Sequence, residues 1–347
     1  MTSSTRLAEY TSLQVGGKAD QFVQVTSRLE VLDALADSRH QGFVPTIIGW
    51  GCNTLISDHG LPGTTVVWRQ GSLEFHGNLA IADGGANWDH LIAESVARGL
   101  WGLEMTSEVP GTVAGAIVGN IAAYGQQVSD CLEWVEIFNT RTGQTSVCPA
   151  ASLSFAYRWS SLQASSGLVV LRAAFRLSDT ETVPLKYETA LGVAREGGMN
   201  PSNLQERRQV IVEARRRAGA IYRPGVPGLD RTAGSFFKNP LVESELAERL
   251  AAFDQSGRTA EAVRQQSIIH GGSALRASAA HVLLGAGFYR GQRWGHVRLH
   301  EDHVLKLQTM QGATARDVAD VSDLIRATVL EKFKIDLQPE VRFLGSF

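Results

Sequence analysis

The sequence has few cysteines and no long apolar run. Among its 347 residues there are 3 cysteines, Cys52, Cys131 and Cys148, and none forms a CxxC pair or a metal-type cluster. This scarcity argues against a disulfide-stabilised secreted domain and favours reduced thiols in the cytoplasm. The N-terminal segment lacks the apolar core of a signal peptide, and no stretch approaches the roughly 18 apolar residues of a membrane span. We therefore expect a cytoplasmic protein without a membrane partner.

The chain also lacks an excess of charge of either sign. It contains 33 Lys and Arg against 35 Asp and Glu, which gives a formal net charge of −2. Binding to nucleic-acid phosphates or to an anionic membrane surface needs a basic face. The charge balance therefore argues against a general nucleic-acid binder.

What the chain has in excess is glycine. Its 35 glycines are more than the roughly 7% of an average chain, and they follow no collagen period. Glycine permits tight turns and lets the backbone approach a ligand closely. With 44% hydrophobic residues over 347 positions, the chain can fill the cores of two or three packed domains. The composition therefore indicates a globular protein with a ligand.

Short strands and helices are predicted to alternate in three regions. The first 70 or so residues predict a βαββ unit, with Ser27 as the N-cap of its helix. Residues 72–204 carry short strand patterns typical of an antiparallel or mixed sheet. A third region runs from about 236 to 307, and the chain ends with an amphipathic helix and a strand. The predicted fold class is α+β, with strands at 21–26, 45–48, 64–68, 80–82, 134–139, 144–148, 168–177 and 340–344, and helices at 28–39, 88–99, 205–218, 244–252 and 314–333.

Two glycine-rich segments are candidates for backbone that meets a ligand. GWGCN at 49–53 follows an apolar strand, and its glycines let N–H groups turn toward an anion. A tight β-turn would use the same residues. The second segment contains PGTVAGA at 110–116, Asn120 and AYG at 123–125. Its small side chains leave room for a planar group or a pyrophosphate, although close helix–sheet packing would select the same residues.

Three single residues could carry chemistry. Arg158 lies among aromatic residues and could hold a carboxylate or stabilise negative charge, although surface ion pairs use arginine too. Ser235 in GSFFKNP could donate a proton or simply cap a turn, and it lacks the GxSxG context of a hydrolytic triad. Glu340 lies among apolar residues and suits acid–base work if it is partly buried. A solvated charge on an edge strand is the alternative for Glu340.

Two remaining clusters, one of histidines and one of arginines, give weaker indications of a functional site. His296, His300 and His303 lack HExxH spacing and a cysteine partner, so we expect no metal site there. The arginines of helix 205–218 predict a solvated helix face, with attraction of a diphosphate ligand as the alternative. These arginines are Arg207, Arg208, Arg215, Arg216 and Arg217.

In combination and in this order, the motifs resemble the UDP-N-acetylenolpyruvoylglucosamine reductase family. The resemblance runs from TSLQVGG at 11–17 to EVRFLG at 340–345, which is nearly the whole chain. Each piece alone is weakly specific, whereas five pieces in the right order are strongly specific. The pieces are the GxGxN loop ending at Asn53, the run 110–125, YRxS at 157–160, GSFFKNP at 234–240 and PEVRFLG at 339–345.

The resemblance implies a fold and an activity. The fold would be a two-domain FAD-binding scaffold of the vanillyl-alcohol-oxidase/PCMH type plus a third α+β domain. Residues 1–70 would form the first FAD-binding subdomain with 315–347 packed on it, 71–205 the second subdomain, and 206–314 the substrate domain. NADPH would pass hydride to non-covalently bound FAD and from there to C3 of UDP-N-acetylglucosamine enolpyruvate. Protonation at C2 would give UDP-N-acetylmuramate, a precursor in peptidoglycan synthesis, cell-wall biogenesis, cell shape and cell division, made here by a monomer in the cytoplasm.

The resemblance also implies roles for single residues. Arg158 would bind the enolpyruvyl carboxylate and, with Glu340, polarise the double bond. Ser235 would be the general acid that protonates C2, assisted by its neighbours because a free serine is a poor acid. Substrate contacts would come from Tyr187, Arg223 at the diphosphate, and Asn239. FAD would be bound by Gly49, Gly51, Cys52, Asn53, Thr54, Pro110, Gly111, Thr112, Gly115, Asn120, Ala123, Tyr124 and Gly125.

The chain departs from the family pattern in several places. Cys52 replaces a usual serine, and Ala114 and Ala122 replace glycines, which fits only if φ is negative there. The family's SAGWLIE segment appears as SAAHVLL at 278–284, and a later asparagine is replaced in LKLQ at 305–308. These changes leave open a diverged flavoenzyme of the same scaffold that acts on another nucleotide-linked substrate. A flavin- or nucleotide-binding protein without catalysis is disfavoured, because the three catalytic candidates persist.

Overall fold

The structure is a computed structural model that describes residues 5–226, 230–251 and 275–347. It divides into two compact units. Unit 1 comprises Met1–Thr5, Ala19–Gly51 and Leu61–Val226, and unit 2 comprises Arg6–Lys18, Cys52–Gly60 and Pro227–Phe347. The three-domain boundaries stay a prediction, and residues 227–229 and 252–274 of the predicted substrate domain lie outside the described residues.

Helices and strands are short and alternate along the chain. In the described ranges the helices are α1 (Arg28–His40), α2 (Trp88–Ala97), α3 (Val113–Gly119), α4 (Ser161–Ala164), α5 (Glu188–Gly197), α6 (Leu204–Arg217), α7 (Ser244–Ala251), α8 (Ala279–Ala286) and α9 (Ala315–Phe333). The strands there are β1 (Ala19–Val25), β2 (Thr46–Ile48), β3 (Thr54–Ile56), β4 (Leu61–Trp68), β5 (Leu73–His76), β6 (Leu79–Asp83), β7 (Ala122–Ala123), β8 (Gln126–Gln127), β9 (Leu132–Asn139), β10 (Gln144–Pro149), β11 (Phe155–Ala156), β12 (Trp159–Ser160), β13 (Leu168–Arg176), β14 (Leu241–Val242), β15 (Leu275–Arg276), β16 (Arg293–Trp294), β17 (Val297–Leu299), β18 (Leu307–Thr309) and β19 (Arg342–Leu344).

Unit 1 begins with a small parallel sheet in the order β1-β4-β2. The central strand β4 is a β-branched run that is almost entirely buried, as expected of a strand with neighbours on both sides. Helix α1 begins where predicted, because the Ser27 side chain accepts the Glu30 N–H at 3.3 Å. The predicted segments of this region are confirmed.

The larger sheet of unit 1 has the order β10-β9-β13-β6-β5 and is antiparallel throughout. Its central strand β13 is buried along most of its length. Helix α2 packs on the sheet through Trp88, whose ring meets Phe175 edge-on at 5.7 Å. Of the two predicted alternatives, antiparallel or mixed, the sheet is antiparallel, and it supports the loops that carry the unit 1 site.

Unit 2 surrounds a core built around two adjacent phenylalanines. Phe236 and Phe237 are both buried and lie in one cluster with the apolar face of α9. The predicted period of that helix is confirmed at Val318, Ile325 and Val329, which are fully buried, whereas Leu324 is exposed. The remaining strands form the antiparallel sheet β16-β17-β18, the pair β14-β15 and the parallel pair β3-β19.

Several elements differ from the sequence predictions. The small-residue run 113–119 is a helix, and helices at 188–197 and 279–286 were also not predicted. The terminal strand begins at Arg342, so Glu340 precedes it instead of lying within it. Residue 252, the predicted end of α7, lies outside the described residues. None of the helices in the described part of the chain has both the length and the hydropathy that crossing a membrane requires.

Candidate active site

The two glycine-rich segments predicted to bind a cofactor meet in unit 1. A Cβ atom at Gly49 would lie 2.8 Å from the Thr112 Oγ1 atom, closer than real side chains approach. The Gly49 carbonyl also accepts a hydrogen bond from Arg69 Nε at 3.0 Å. Gly51 and Gly111 both have positive φ, which favours glycine. The backbone of one segment thus lies directly against the side chain of the other.

Helix α3 is fixed by hydrogen bonds at its start. The N–H groups of Val113 and Ala114 donate to the carbonyls of Ala86 and Gly84 at 2.9 and 2.8 Å. The Gly115 N–H donates to the Thr112 side chain at 3.3 Å. These three donors are therefore used inside the protein. What this segment offers a ligand is a bare backbone surface at Gly115, which is exposed.

The two alanines that replace family glycines fit their backbone. Neither Ala114 nor Ala122 is among the non-glycine residues with positive φ, since the first lies in α3 and the second in β7. Alanine fits at these positions only if φ is negative there, and this condition is met.

Of the six non-glycine residues with positive φ in the described ranges, four lie in unit 1, whereas Gln14 and Lys334 lie in unit 2. Glu108, Asn120, Tyr124 and Arg158 all have φ between 41° and 56°. Non-glycine residues adopt this region rarely, and such residues cluster at functional sites. Asn120 connects the run 110–125 to the residue that precedes YRxS, because its Nδ2 donates to the Ala156 carbonyl at 3.1 Å.

Arg158 lies against the predicted cofactor loop. Its Nη1 donates to the Ala122 carbonyl at 2.9 Å, and its guanidinium lies 5.4 Å from the ring centre of Tyr157. The side chain is half-buried, which strengthens its interaction with an anion relative to full exposure. A catalytic candidate of unit 1 thus lies beside the segment that contains several of the predicted cofactor-binding residues.

Two tyrosines complete this part of unit 1. The rings of Tyr124 and Tyr187 meet edge-on at 5.4 Å, and Tyr187 lies 4.0 Å from the position of a Cβ atom at Gly125. Burial raises the pKa of both phenols, while the charges of Arg215 and Arg158 partly oppose that shift in Tyr124 and Tyr187 respectively. Both phenols therefore stay protonated at neutral pH and can donate hydrogen bonds.

An acidic and basic cluster lies beside these residues in unit 1, and sequence reasoning identified only part of it. Asp89 accepts two hydrogen bonds from Arg208, at 2.7 and 2.8 Å, and one from the Glu108 N–H at 2.7 Å. The Glu108 carboxylate pairs with Arg223 Nη2 at 2.5 Å. Burial alone would raise the pKa of Asp89, but these hydrogen bonds hold it below its usual value. Burial and the charge of Asp89 raise the pKa of Glu108.

The predicted solvated face of the arginine-rich helix is only partly correct. Arg216 and Arg217 are exposed, but Arg207 is only 1% exposed. Arg207 Nη1 lies 3.4 Å from the carboxylate of buried Glu104, and its guanidinium stacks 4.6 Å from the ring centre of Trp101. The prediction is wrong for Arg207 because an arginine can be buried where carboxylates and an aromatic face surround it.

In unit 2, the strand segment after Ser235 runs antiparallel to the segment that ends at Glu340. The Glu340 N–H donates to the Phe236 carbonyl at 2.8 Å, and the Lys238 N–H donates to the Gln338 carbonyl at 2.9 Å. Ser235 is exposed, and it follows Gly234, whose φ is +74°. The serine side chain is therefore accessible, on a segment whose backbone is paired with the segment that ends at half-buried Glu340.

The GxGCN loop reaches the same place in unit 2 through its last residues. Asn53 Nδ2 donates to the Glu340 carbonyl at 3.2 Å, and the Arg342 N–H donates to the Asn53 carbonyl at 3.0 Å. Thr54 is paired with Arg342 in the β3-β19 ladder, and Cys52 is half-buried. Three predicted motifs thus converge within this unit.

Asn239 is engaged with a helix in unit 2. Its Oδ1 accepts the N–H of Ala279 at 2.9 Å, at the start of α8. Ser278 makes no side-chain cap there, so Asn239 supplies the capping oxygen from a distant part of the chain. SAAHVLL at 278–284, which departs from the family pattern, is therefore held by Asn239 of the retained motif GSFFKNP.

Gln308 lies in LKLQ, another segment that departs from the family pattern, and belongs to a hydrogen-bond network in unit 2 that sequence reasoning missed. Gln308 donates to Asp230 at 2.8 Å and accepts from Arg298 Nε at 2.7 Å. The other Asp230 oxygen lies 2.7 Å from His300 Nε2. Because Asp230 lies five residues before Ser235, this network anchors the entry to the GSFFKNP segment.

Comparison with known protein families matches two parts of the chain. The sequence profile described as UDP-N-acetylenolpyruvoylglucosamine reductase, C-terminal domain, matches residues 227–344. A profile described as an FAD binding domain matches residues 19–148. The second range contains both glycine-rich segments predicted to bind the cofactor.

Related proteins resemble the chain over nearly its full length. A UDP-N-acetylenolpyruvoylglucosamine reductase from Thermobifida fusca is 32% identical, covering 98% of this chain and 96% of its own length. One from Mycobacterium marinum is 34% identical, covering 99% and 95%. The crystal structure of the reductase from Thermus caldophilus matches with a TM-score of 0.66 and 22% identity, covering 99% of both chains. The predicted fold class is thereby confirmed.

Proposed function

The chain belongs to the UDP-N-acetylenolpyruvoylglucosamine reductase family, and we propose from this that it uses NADPH to reduce UDP-N-acetylglucosamine enolpyruvate to UDP-N-acetylmuramate. It is an FAD-dependent oxidoreductase of peptidoglycan synthesis. The observation that carries the proposal is the convergence of the Ser235 and Glu340 segments through the Glu340 N–H bond to Phe236. A serine hydroxyl and a carboxyl group carried by adjacent backbone segments suit protonation of a developing carbanion.

The residues of unit 1 fit a flavin nucleotide. Gly115 is exposed, and a Cβ atom there would meet only Thr112 Oγ1, at 3.4 Å. Positive φ at Gly51 and Gly111 lets these loops turn tightly, and the Thr112 side chain fills the space beside Gly49, so Gly115 is the position at which bare backbone faces outward. The chemistry that FAD supplies when bound is hydride transfer from NADPH to C3 of the enolpyruvyl group. Gly49, Gly51, Thr112 and Gly115 would hold it in unit 1.

Arg158 acts on the substrate carboxylate in this proposal. Negative charge develops at C2 and spreads to that carboxylate as C3 receives hydride. A guanidinium held by the Ala122 carbonyl is oriented before the reaction, so it stabilises this charge without reorganising. Its half-buried position reduces screening by water.

Ser235 supplies the proton at C2. Its hydroxyl is accessible, and the turn at Gly234 with the Phe236 hydrogen bonds fixes its backbone. Glu340 lies on the neighbouring segment, where its carboxyl group would polarise the double bond together with Arg158. Hydride at C3 and a proton at C2 complete the reduction of the double bond.

Substrate recognition would involve Tyr187, Arg223 and Asn239. The protonated Tyr187 phenol can donate a hydrogen bond, and Arg223 offers a guanidinium to the diphosphate. Asn239 would hold the loop of GSFFKNP through its bond to α8. We further propose that the enzyme acts as a monomer in the cytoplasm, without nucleic-acid or membrane partners.

The test is steady-state oxidation of NADPH by the purified, FAD-loaded protein. We expect oxidation that depends on UDP-N-acetylglucosamine enolpyruvate and stoichiometric formation of UDP-N-acetylmuramate. A yellow protein that reduces its flavin with NADPH but ignores this substrate would contradict the proposed substrate and favour the diverged flavoenzyme. A protein that binds no FAD would contradict the assignment of the unit 1 loops.

A further inference from the structure

Glu108 stands out among the residues that the proposed mechanism does not use. Its φ is +56°, a backbone conformation that glycine adopts without strain and that other residues adopt rarely. Its N–H is held by Asp89 Oδ1 at 2.7 Å, which keeps the backbone in this conformation. Strain of this kind persists only where surrounding contacts over-determine it. The contacts of the Glu108 side chain indicate the function of this backbone conformation.

The Glu108 side chain is directed at Arg223. Its Oε1 lies 2.5 Å from Arg223 Nη2, and the carboxyl side chain is 11% exposed whereas the arginine is 52% exposed. The buried carboxylate is therefore the fixed partner and the arginine is the accessible one. A guanidinium has five N–H donors in a planar fork, and this bond engages the Nη2 end. The remaining edge can present donors to a second anion.

The charges around Glu108 support this arrangement. Asp89 is neutralised by its paired hydrogen bonds with Arg208, so Arg223 is the direct ion-pair partner of Glu108. The half-buried Arg215 side chain interacts electrostatically with both carboxylates. Three guanidiniums against two carboxylates leave one positive charge in excess, which favours a further anion at Arg223.

We propose that Glu108 is a positioning residue that holds Arg223 in the orientation that binds the substrate's diphosphate. The inference rests on the proposed function, because it takes the diphosphate of a UDP-sugar as the anion. Arg223 lies in the loop that follows α6, and a long side chain there loses rotamer freedom when it binds a ligand. The ion pair with Glu108 removes part of that freedom beforehand, so binding is tighter.

The test combines substrate kinetics with binding of a probe. In FAD-loaded full-length protein, we would measure kcat and KM for UDP-N-acetylglucosamine enolpyruvate and the Kd of UDP by calorimetry. The variants are Glu108→Gly, which removes the carboxylate and relieves the strain, and Glu108→Gln, which removes only the charge. Pre-ordering one side chain predicts a rise of about threefold to tenfold in KM and in the Kd of UDP, with kcat within about twofold.

A double-variant cycle separates positioning from a general structural effect. If Glu108 acts through Arg223, Glu108→Gly adds nothing to the KM of an Arg223→Gln protein. Additive effects of the two substitutions would overturn the inference. The matched control is Glu133→Gln, which breaks an ion pair with Arg176 elsewhere in unit 1 and should leave KM unchanged.

Three further outcomes would also be decisive. Unchanged KM and Kd in both Glu108 variants would overturn the positioning role, and lower values would mean that Glu108 competes with the diphosphate for Arg223. A wild-type protein that neither turns over the enolpyruvyl substrate nor binds UDP would contradict the proposed function itself. Because that result is read on the wild type, the two failures are distinguishable.

Discussion

The candidate residues of the two units are held in different ways. In unit 1 they lie in loops with strained backbone, where Tyr124 and Arg158 have φ of 50° and 55°. In unit 2, Ser235 and Glu340 adjoin an antiparallel pairing of Phe237 with Pro339, and neither has positive φ. The placement of the candidate residues in unit 1 thus depends on loop conformation and side-chain hydrogen bonds. In unit 2 their placement depends on the register of neighbouring backbone segments.

This difference separates two ways in which a substitution can act. A side-chain change at a strained loop position keeps the strain unless glycine is introduced, so it reports mainly on the lost functional group. A side-chain change beside a backbone pairing leaves the register intact, because the hydrogen bonds belong to the main chain. Both units should therefore tolerate loss of a functional side chain with little loss of fold.

The largest effect is expected in unit 2, for Ser235→Ala. The hydrogen bonds that fix this segment are made by the Phe236 backbone, so the fold stays intact while the proton donor is lost. Loss of a general acid lowers turnover by roughly 10²–10⁴-fold. Stopped-flow absorbance should show flavin reduction by NADPH at the wild-type rate, with product formation almost abolished.

Ser202→Ala is the matched control for that experiment. Ser202 lies in the turn before α6, where its N–H bonds Asn200, and the substitution should leave both half-reactions unchanged. If Ser235→Ala slowed flavin reduction as strongly as product formation, the assigned role of Ser235 would be wrong. The contrast between the units would then lose its clearest example.

The corresponding change in unit 1 is Arg158→Gln. Any non-glycine residue at this position carries similar backbone strain, so the substitution removes the guanidinium and leaves the strain unchanged. Loss of one preorganised group that stabilises developing negative charge lowers kcat by roughly 10²–10³-fold. Steady-state kinetics would measure the loss, and thermal denaturation should give a Tm within a few degrees of wild type.

Arg158→Lys gives a sharper comparison at the same position. Lysine keeps the positive charge but not the planar fork of donors, so it should recover part of the lost kcat. Equal activity of the Gln variant and the wild type would show that Arg158 serves only to bond the Ala122 carbonyl.

A third prediction concerns the pH dependence of stability in unit 2. Burial, together with the charges of Lys306, Arg290 and His300, lowers the pKa of His303 to about 4. The ring is neutral in the native state, where its Nδ1 accepts the Leu305 N–H at 3.2 Å. The unfolded chain binds a proton near pH 6.5 and the folded chain near pH 4. The free energy of unfolding should therefore fall by up to about 3 kcal/mol as pH falls through this window.

Chemical denaturation between pH 4 and pH 7.5 would measure this slope. His303→Gln should flatten it, whereas His59→Gln, at an exposed histidine of the same unit, should not. A slope that is identical in the wild type and in His303→Gln would contradict the assignment of the buried neutral ring.

The sequence predicted the pattern of elements better than the contacts that build the site. Apolar periodicity located α9, and the Ser27 cap located α1, because both signals are local. Helix α3 was missed because its glycines disfavour a helix, and contacts from Gly84 and Ala86 hold its first turn.

The site was predictable to the extent that it lies in contiguous motifs. Ser235, Glu340 and Arg158 were predicted from the segments that contain them. Their hydrogen-bond partners were not predicted from the sequence. Glu108 was missed because its conformation depends on Asp89, nineteen residues earlier in the chain. Charge pattern alone also did not distinguish buried Arg207 from exposed Arg216 and Arg217. Contacts between distant residues leave no local signal.

The smallest effect is expected for Gly115→Ala in unit 1. A Cβ atom at Gly115 meets only Thr112 Oγ1, at an ordinary contact distance of 3.4 Å, and alanine favours a helix over glycine. The Tm of the FAD-free protein should therefore stay equal or rise slightly. If FAD lies against this bare backbone, the added methyl should raise its Kd about tenfold, as fluorescence titration would show. The matched control is Gly192→Ala in α5, where a Cβ atom meets only Arg195, at 3.9 Å, and where FAD affinity should not change. An unchanged Kd in both variants would mean that the close approach at Gly115 serves packing within unit 1 and not the cofactor.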